Sequence, residues 1–332
     1  MPTLSPFWSH AVRLTGRLDL SGVPVGVDPG RLPREALIAH GVRPRHASAL
    51  TSDGPGLHAE RFVRWSDPGY PDRLRRVPHA PPVLFHEGDL ERLRAPGVAI
   101  VGARRCSTEG RRMARELARA VSRAEGTVIS GLAQGIDSEA HAASHGRTIA
   151  VLGQGLSTRM PEHRERLRRR ILDEGGLILS ELPPERPASR ITFPMRNRII
   201  AGLSRVTVVV EARERSGSRI TARNALEAGR DVMAVPGHPS QELARGCLTL
   251  LREGAGLVTE PADVLEAAGL EACPAQATVD PVLSAMGRGT DFEGLLARTG
   301  LGTQALLRRL ARLELDGHIE RMPGGWYGPA TR

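Results

Sequence analysis

The sequence predicts a Rossmann-like α/β fold, a doubly wound and mostly parallel sheet, joined to a small helical N-terminal domain and a C-terminal winged-helix-like domain. Three observations carry this prediction. Short apolar runs recur from VAIVG at 98–102 to DVMAVPG at 231–237, without the polar alternation of a half-exposed strand. Segments with helical spacing, such as Glu109 to Ala124 and Glu162 to Glu174, lie between them and make βαβ units with right-handed crossovers. Residues 291–332 read as a helix, a turn at TGLGT, a second amphipathic helix and a hairpin at HIERMPGGWYG.

Taken in order, residues 1–62 read as a helical N-terminal module carrying a short turn and helix at Gly41 to Leu50. Residues 63–97 hold too many prolines for a continuous helix or a central strand, and predict an extended arm on the following domain. The core, 63–270 with this arm included, contains predicted strands at 98–102, 127–130, 148–153, 177–182, 206–212 and 231–237. A linker at 270–279 leads into the winged-helix-like module at 280–332.

The chain has 332 residues and a mass of 35.8 kDa, a length that fits two or three domains. Its formal net charge is +9, its pI is near 10.9, and it contains no lysine, so all 46 basic residues are arginine. A polyanionic partner fits this balance, and arginine's planar fork suits phosphate. The surplus is concentrated around the core, where 63–275 carries +6, while 276–332 carries +1. No apolar run reaches the roughly 20 residues of a bilayer span, and MPTLSPFWSHAVRL lacks the basic-then-apolar order of a signal peptide. Cys106, Cys247 and Cys273 show no CxxC spacing, which argues against a zinc site or a disulfide framework and for a reducing cytoplasm. There is no GxGxxG, no GxxxxGK[ST] and no GxSxG, so neither a nucleotide cofactor nor a hydrolase elbow is expected.

In an open parallel sheet, ligands bind beyond the carboxyl ends of the strands. The first strand runs into Gly102, Arg104, Arg105 and Ser107, where glycine, cations and a helix N-terminus offer an anion site. The second runs into a loop with Gly131, Gln134 and Gly135, followed by Asp137 and His141 four residues apart. That pair suits a metal or a proton relay, or else a helix cap and a bond back to the loop. The densest signal is Arg190, Phe193, Arg196, Asn197 and Arg198. Phe193 is the only aromatic residue between Val98 and Leu270, and it is surrounded by cations as a single-stranded nucleic-acid site would require. Arg196 and Arg198, two apart, do not face the same way on a helix. Ser216, Gly217 and Ser218 open the next helix as a further uncharged anion site. Glu181 and Glu211 end strands on this rim, as general bases or as partners of its loops.

IVGARRCSTEG, SGLAQGIDSEAH, TIAVLGQG, SEL, FPMRNRIIAGLS, VVVEARERSGSRITARNALEAGR and AVPGHP follow one another in an order that resembles the DNA-processing protein A (DprA/Smf) family. With Tyr70-Pro71 and PPVLF at 81–85, the resemblance covers residues 70–265. It implies a cytoplasmic, non-catalytic recombination mediator of natural transformation, without cofactor or metal. Such a protein binds incoming single-stranded DNA, forms a homodimer and loads the RecA recombinase. The family's DNA-contacting arginine falls on Arg104, and its basic residue and phenylalanine fall on Arg190 and Phe193. Met160 and Leu248 stand where tyrosine and asparagine are usual, the latter where dimer or RecA contacts are expected. Two other classes compete. A Rossmann-like N-glycosidic nucleotide hydrolase would carry a PGGxGTxxE-type motif on the rim, but the chain has only Pro323-Gly324-Gly325, followed by Trp326. A regulator acting through the winged helix would bind duplex DNA.

Overall fold

The computed structural model describes residues 3–24, 26–52, 57–58, 61–271, 280–287, 289–315, 318–322 and 324–329. The chain forms two compact units, Met1–Ala272 and Cys273–Arg332.

In the first unit, β1 (Thr3–Leu4) pairs antiparallel with β2 (Leu57–His58) around α1 (Pro6–Arg13), α2 (Arg34–Ala39) and α3 (Pro44–Leu50). Pro6 at the first position of α1 costs nothing, because that N–H has no partner within the helix. Phe7, Trp8, Ala11 and Val12 then form one buried face. These residues pack into the same hydrophobic core as Trp65, Tyr70 and Phe85 and the sheet beyond, so the segment is built onto the sheet through shared apolar burial.

Residues 63–97 depart from the expected arm. β3 (Phe62–Arg64), α4 (Asp72–Arg75) and β4 (Val83–Gly88) come from this region, and both strands join the main sheet. β4 is an inner strand, antiparallel to β3 on one side and to the core strand Leu177–Ser180 on the other. Pro81 and Pro82 sit just before the ladder, where a missing N–H breaks no strand pairing, and Pro82 still accepts from the Trp65 N–H at 2.9 Å.

The chain then alternates β5 (Gly97–Val101), α5 (Thr108–Arg123), β6 (Thr127–Ser130), α6 (Ile136–Ala143), β7 (Thr148–Leu152), α7 (Glu162–Asp173), β8 (Leu177–Ser180) and α8 (Thr192–Leu203). It continues through β9 (Val206–Val209), α9 (Gly217–Glu227), β10 (Asp231–Ala234), α10 (Arg245–Arg252), β11 (Gly256–Leu257) and α11 (Pro261–Ala268). All six predicted strands are present. The nine-stranded order is β11-β10-β9-β5-β6-β7-β8-β4-β3, parallel from β11 to β8. Val98, Ile100, Val128 and Val208 point into the core beside α5 and α11, while Ala99, Val101, Ile129 and Val209 face the other side. Two buried faces explain why the runs lack polar alternation.

From β5 the chain steps outward through β6, β7 and β8, then returns to place β9 on the opposite side of β5. The strand order therefore reverses between β5 and β9, which opens a crevice at their carboxyl ends.

The second unit contains α12 (Pro281–Met286), α13 (Phe292–Thr299), α14 (Thr303–Leu315) and a hairpin of β12 (Ile319–Met322) and β13 (Trp326–Pro329). Asp291 caps α13 by accepting from the Gly294 N–H at 2.9 Å, and Gly300, at φ 65°, ends it in the left-handed region. Val282, Leu295, Leu306, Leu310, Ile319 and Tyr327 give this unit its own core. The predicted helix, turn, helix and hairpin are present, preceded by the additional helix α12. No described helix is long and apolar enough to cross a membrane.

Candidate nucleic-acid interface

A cleft of about 460 Å³ opens at the β5/β9 reversal. Its walls are the loop after β5 (Gly102 to Arg105), the first turns of α8 (Phe193, Pro194, Arg196, Asn197) and the loop from Arg213 into α9.

The rim is cationic. Arg104, Arg105, Arg190 and Arg215 are exposed, and no carboxylate pairs with them among the described residues. Arg213 reaches Glu242 at 3.4 Å. The Arg104 guanidinium lies over the Phe193 ring, 5.8 Å from its centroid, an arrangement of cation on aromatic face. Thr192 fixes the start of α8 by donating to the Gly153 carbonyl at 2.6 Å. A Cβ on Gly153 would lie 3.0 Å from Phe193 Cδ1, so the glycine makes room for the ring.

The floor is a buried polar network. Arg196, only 5% exposed, donates to the carbonyls of Gly131 at 2.7 Å and Val151, and to Asn197 Oδ1 at 3.0 Å. Asn197 in turn donates to the Gly217 carbonyl at 3.3 Å. One arginine thus ties the ends of β6 and β7 to α8, and its neighbour ties α8 to α9. Burial lowers the Arg196 guanidinium to about 10, against the pull of Asp137, so it remains charged at neutral pH. The Asp137 carboxylate accepts from the N–H groups of Gly131 at 3.1 Å and Ala133 at 3.4 Å. Burial raises its pKa, and Arg196 and those N–H groups oppose the rise. His141 Nε2 accepts from the Leu132 N–H at 3.3 Å, and Nδ1 lies 2.7 Å from Thr148 Oγ1. Thr148 Oγ1 donates onward to the Val128 carbonyl, which assigns the ring proton to Nδ1. The Asp137–His141 pair therefore binds back to its loop, the second of the two readings that its spacing allowed.

The other predicted residues divide between the cleft and its supports. Gly102 lines the cleft, and a Cβ there would meet Ile136 Cγ1 at 2.7 Å. Ser216, Gly217 and Ser218 line it at the start of α9, where Ser216 caps the helix. Gly131 supplies the carbonyl held by Arg196. Gln134 is exposed outside the lining, and Gly135, at φ 86°, carries the chain past the Ala103 and Arg104 carbonyls. Arg190 is exposed on the loop before α8, outside the lining. Ser107 caps α5 and is held by Glu211, whose oxygens accept from its N–H at 2.9 Å and its hydroxyl at 2.5 Å.

Arg198 stands apart from the expected site. It forms a two-pronged ion pair with Glu181, at 2.8 and 2.6 Å, and donates to the His79 carbonyl at 3.0 Å. The helical turn that aims Arg196 into the floor carries Arg198 elsewhere, and its donors are consumed there. Arg213, Arg215 and Ile220 line the cleft without having been singled out from the sequence. Their signal lies in VEARERSGSRI, an arginine pair between the end of a strand and a capped helix.

The sequence model of the DNA recombination-mediator protein A family matches residues 61–269, and that of the DprA winged helix domain matches residues 266–325. Protein Smf of Escherichia coli is 38% identical over 277 residues, 77% of this chain and 74% of that protein. DNA processing protein DprA of Streptococcus pneumoniae is 45% identical over 211 residues, 62% of this chain and 74% of that protein. Protein Smf of Synechocystis is 43% identical over 63% of this chain, a match that spans 54% of that protein. The crystal structure of the Streptococcus pneumoniae protein superposes with a TM-score of 0.62 at 33% identity, covering 81% of this chain and 99% of that one. DNA processing protein A of Helicobacter pylori, studied for its single-stranded DNA binding mode, superposes with a TM-score of 0.57 at 26% identity, covering 62% of this chain and 94% of that one. With the mediator domain spanning most of the chain and the winged helix domain following it, the chain belongs to the DNA recombination-mediator protein A (DprA/Smf) family.

Proposed function

We propose that this protein binds single-stranded DNA in the β5/β9 cleft and acts without catalysis of its own, protecting incoming DNA in natural transformation and loading the RecA recombinase onto it as a cytoplasmic homodimer. The observation that carries the DNA reading is Phe193, under the Arg104 guanidinium, on a rim whose exposed Arg104, Arg105, Arg190 and Arg215 have no carboxylate partner among the described residues, at the point where the strand order reverses. Arginines hold phosphates bidentately, and the aromatic ring takes a base. The proposed contacts comprise Arg104, Arg105, Arg190, Phe193, Arg215 and the Ser216–Ser218 helix start. Arg196 and Asn197 shape the floor beneath them. The Helicobacter pylori relative, which shares this fold and is described by its single-stranded DNA binding, supports the same ligand class. The strand-end carboxylates Glu181 and Glu211 are engaged by Arg198 and Ser107, which leaves them poorly placed as general bases.

The test is a competition assay in which labelled single-stranded DNA bound to the protein is challenged with unlabelled single strand, duplex and mononucleotides. Single strand is expected to compete best. Stronger competition by duplex would move the function to the winged helix, and stronger competition by mononucleotides would favour a nucleotide-processing site.

A further inference from the structure

A second cluster of cations lies at the opposite rim of the same sheet, where β9 and β10 begin, and the cleft makes no use of it. Arg73 comes from α4, Arg205 from the turn between α8 and β9, and Arg230 from the turn between α9 and β10. Arg230 Nη2 donates to the Arg73 carbonyl at 3.1 Å, and Arg73 Nη1 donates to the Leu203 carbonyl at 3.2 Å. Arg205, two residues further on, donates from Nη1 to the Ala268 carbonyl at 2.9 Å. All these acceptors are backbone carbonyls, and no carboxylate pairs with any of the three arginines among the described residues.

Arg230 Nε is also buried without a hydrogen-bond partner among the described residues, a condition that disfavours the fold unless a ligand meets it. The crowding has an electrostatic signature, since burial and then the positive charges of Arg205 and Arg230 push the Arg73 guanidinium below its ordinary value. Leu203 and Ala268 end α8 and α11. The carbonyl ends of these two helices offset part of the positive charge, and among the described residues no carboxylate forms an ion pair with the rest.

We propose that Arg73, Arg205 and Arg230 form a second phosphate site, which holds a phosphodiester of the strand bound in the cleft. The inference rests on the single-strand reading of that cleft. Helix α9 connects the two places, with Ser216 at its N-terminal cap in the cleft and Arg230 just beyond its end. Its eleven residues span about 17 Å, a length that a few nucleotides cover. Arg205 is exposed while Arg73 and Arg230 are half-buried, so the site is an open rim over which a strand passes.

Full-length Arg205→Gln and Arg205→Gln/Arg230→Gln proteins would be titrated with a thymidine dinucleotide, a strand too short to span both places, and with a long oligothymidylate of about 30 nucleotides, at several salt concentrations. The long strand is expected to bind the double variant roughly ten-fold more weakly, with the slope of log K against log[salt] reduced by about 0.7 for each phosphate lost. The short strand, held by the cleft alone, is expected to bind both variants like the parent. Arg205→Lys/Arg230→Lys is expected to recover most of the long-strand affinity, whereas a role limited to capping helix ends would change thermal stability and leave the slope alone. Parent-like binding of the long strand by the Gln variants overturns the second site, while failure of the parent to bind the short strand overturns the cleft reading itself. Tripolyphosphate binding that is lost in the variants while long-strand binding persists would make this a site for free polyphosphate, and would equally overturn the proposal.

Discussion

Arg104 and Arg198 carry the same guanidinium, yet their surroundings give their substitutions opposite readouts. Arg104 is exposed, rests on Phe193 and has no acidic partner among the described residues, so its loss leaves no charge stranded. Arg104→Ala is expected to weaken single-strand binding and reduce the salt slope by about 0.7 without lowering the melting temperature; fluorescence anisotropy against salt beside a thermal melt checks both. Phe193→Ala removes a stacking surface worth about 1–3 kcal/mol per base. Parent-like affinity in Arg104→Ala, Arg190→Ala and Phe193→Ala together would remove the cleft from consideration. Arg198, by contrast, neutralises a Glu181 side chain that is only 1% exposed. Arg198→Ala strands that carboxylate in the core, which typically costs about 3–5 kcal/mol. Urea denaturation should show the midpoint falling by a corresponding amount, while the folded fraction keeps its affinity for DNA; unchanged stability would mean that the ion pair is dispensable.

At the scale of elements, α6 and its preceding loop supply a pH-dependent stability. The His141 ring is buried and its pKa pushed down to about 3 from the ordinary 6.5, first by burial and then by the nearby Arg196 charge. Between those two values the unfolded chain binds a proton at this residue and the native protein does not, so stability falls as pH drops, by up to about 1.4 kcal/mol per pH unit. Asp137, whose pKa is raised, acts with the opposite sign above 3.8, and for that reason His141→Gln is compared with the parent in the same background. The acid limb of denaturant stability is expected to be shallower in the variant, and an equal slope would show that His141 titrates normally. The elements themselves were largely readable. Both faces of the central strands are buried, so each strand leaves an apolar run bounded by glycine or a capping residue, and the six runs mark β5 to β10. β4 escaped because VLFHEG turns polar along its length and follows two prolines, and β11 because two residues leave no periodicity. The site was legible as a rim, since the position of a loop after a strand is a matter of sequence order. The division of labour between Arg196 and Arg198 was not, because the groups that claim them, Gly131, Val151, His79 and Glu181, come from distant parts of the chain.

At the scale of the whole molecule, the two units have separate hydrophobic cores, and the cleft is assembled wholly from the first. The apolar cluster of the second unit, around Leu295, Leu306 and Tyr327, involves no residue of the nine-stranded sheet among the described residues. Removing residues 273–332 takes away 7 arginines and 6 acidic residues, so the first unit retains +8 of the net charge of +9. Neither the packing around the cleft nor the electrostatic attraction of a polyanion should then depend strongly on the second unit. The truncated protein is expected to fold cooperatively and to bind single strands with nearly the parent's affinity and salt slope. Calorimetry and anisotropy on the two proteins check these expectations together. Loss of single-strand binding in a truncated protein that still melts cooperatively would place essential DNA contacts in the winged helix domain. Its surface offers Leu307 on α14 and Trp326 on β13 as large exposed apolar groups, and these would be the first side chains to substitute.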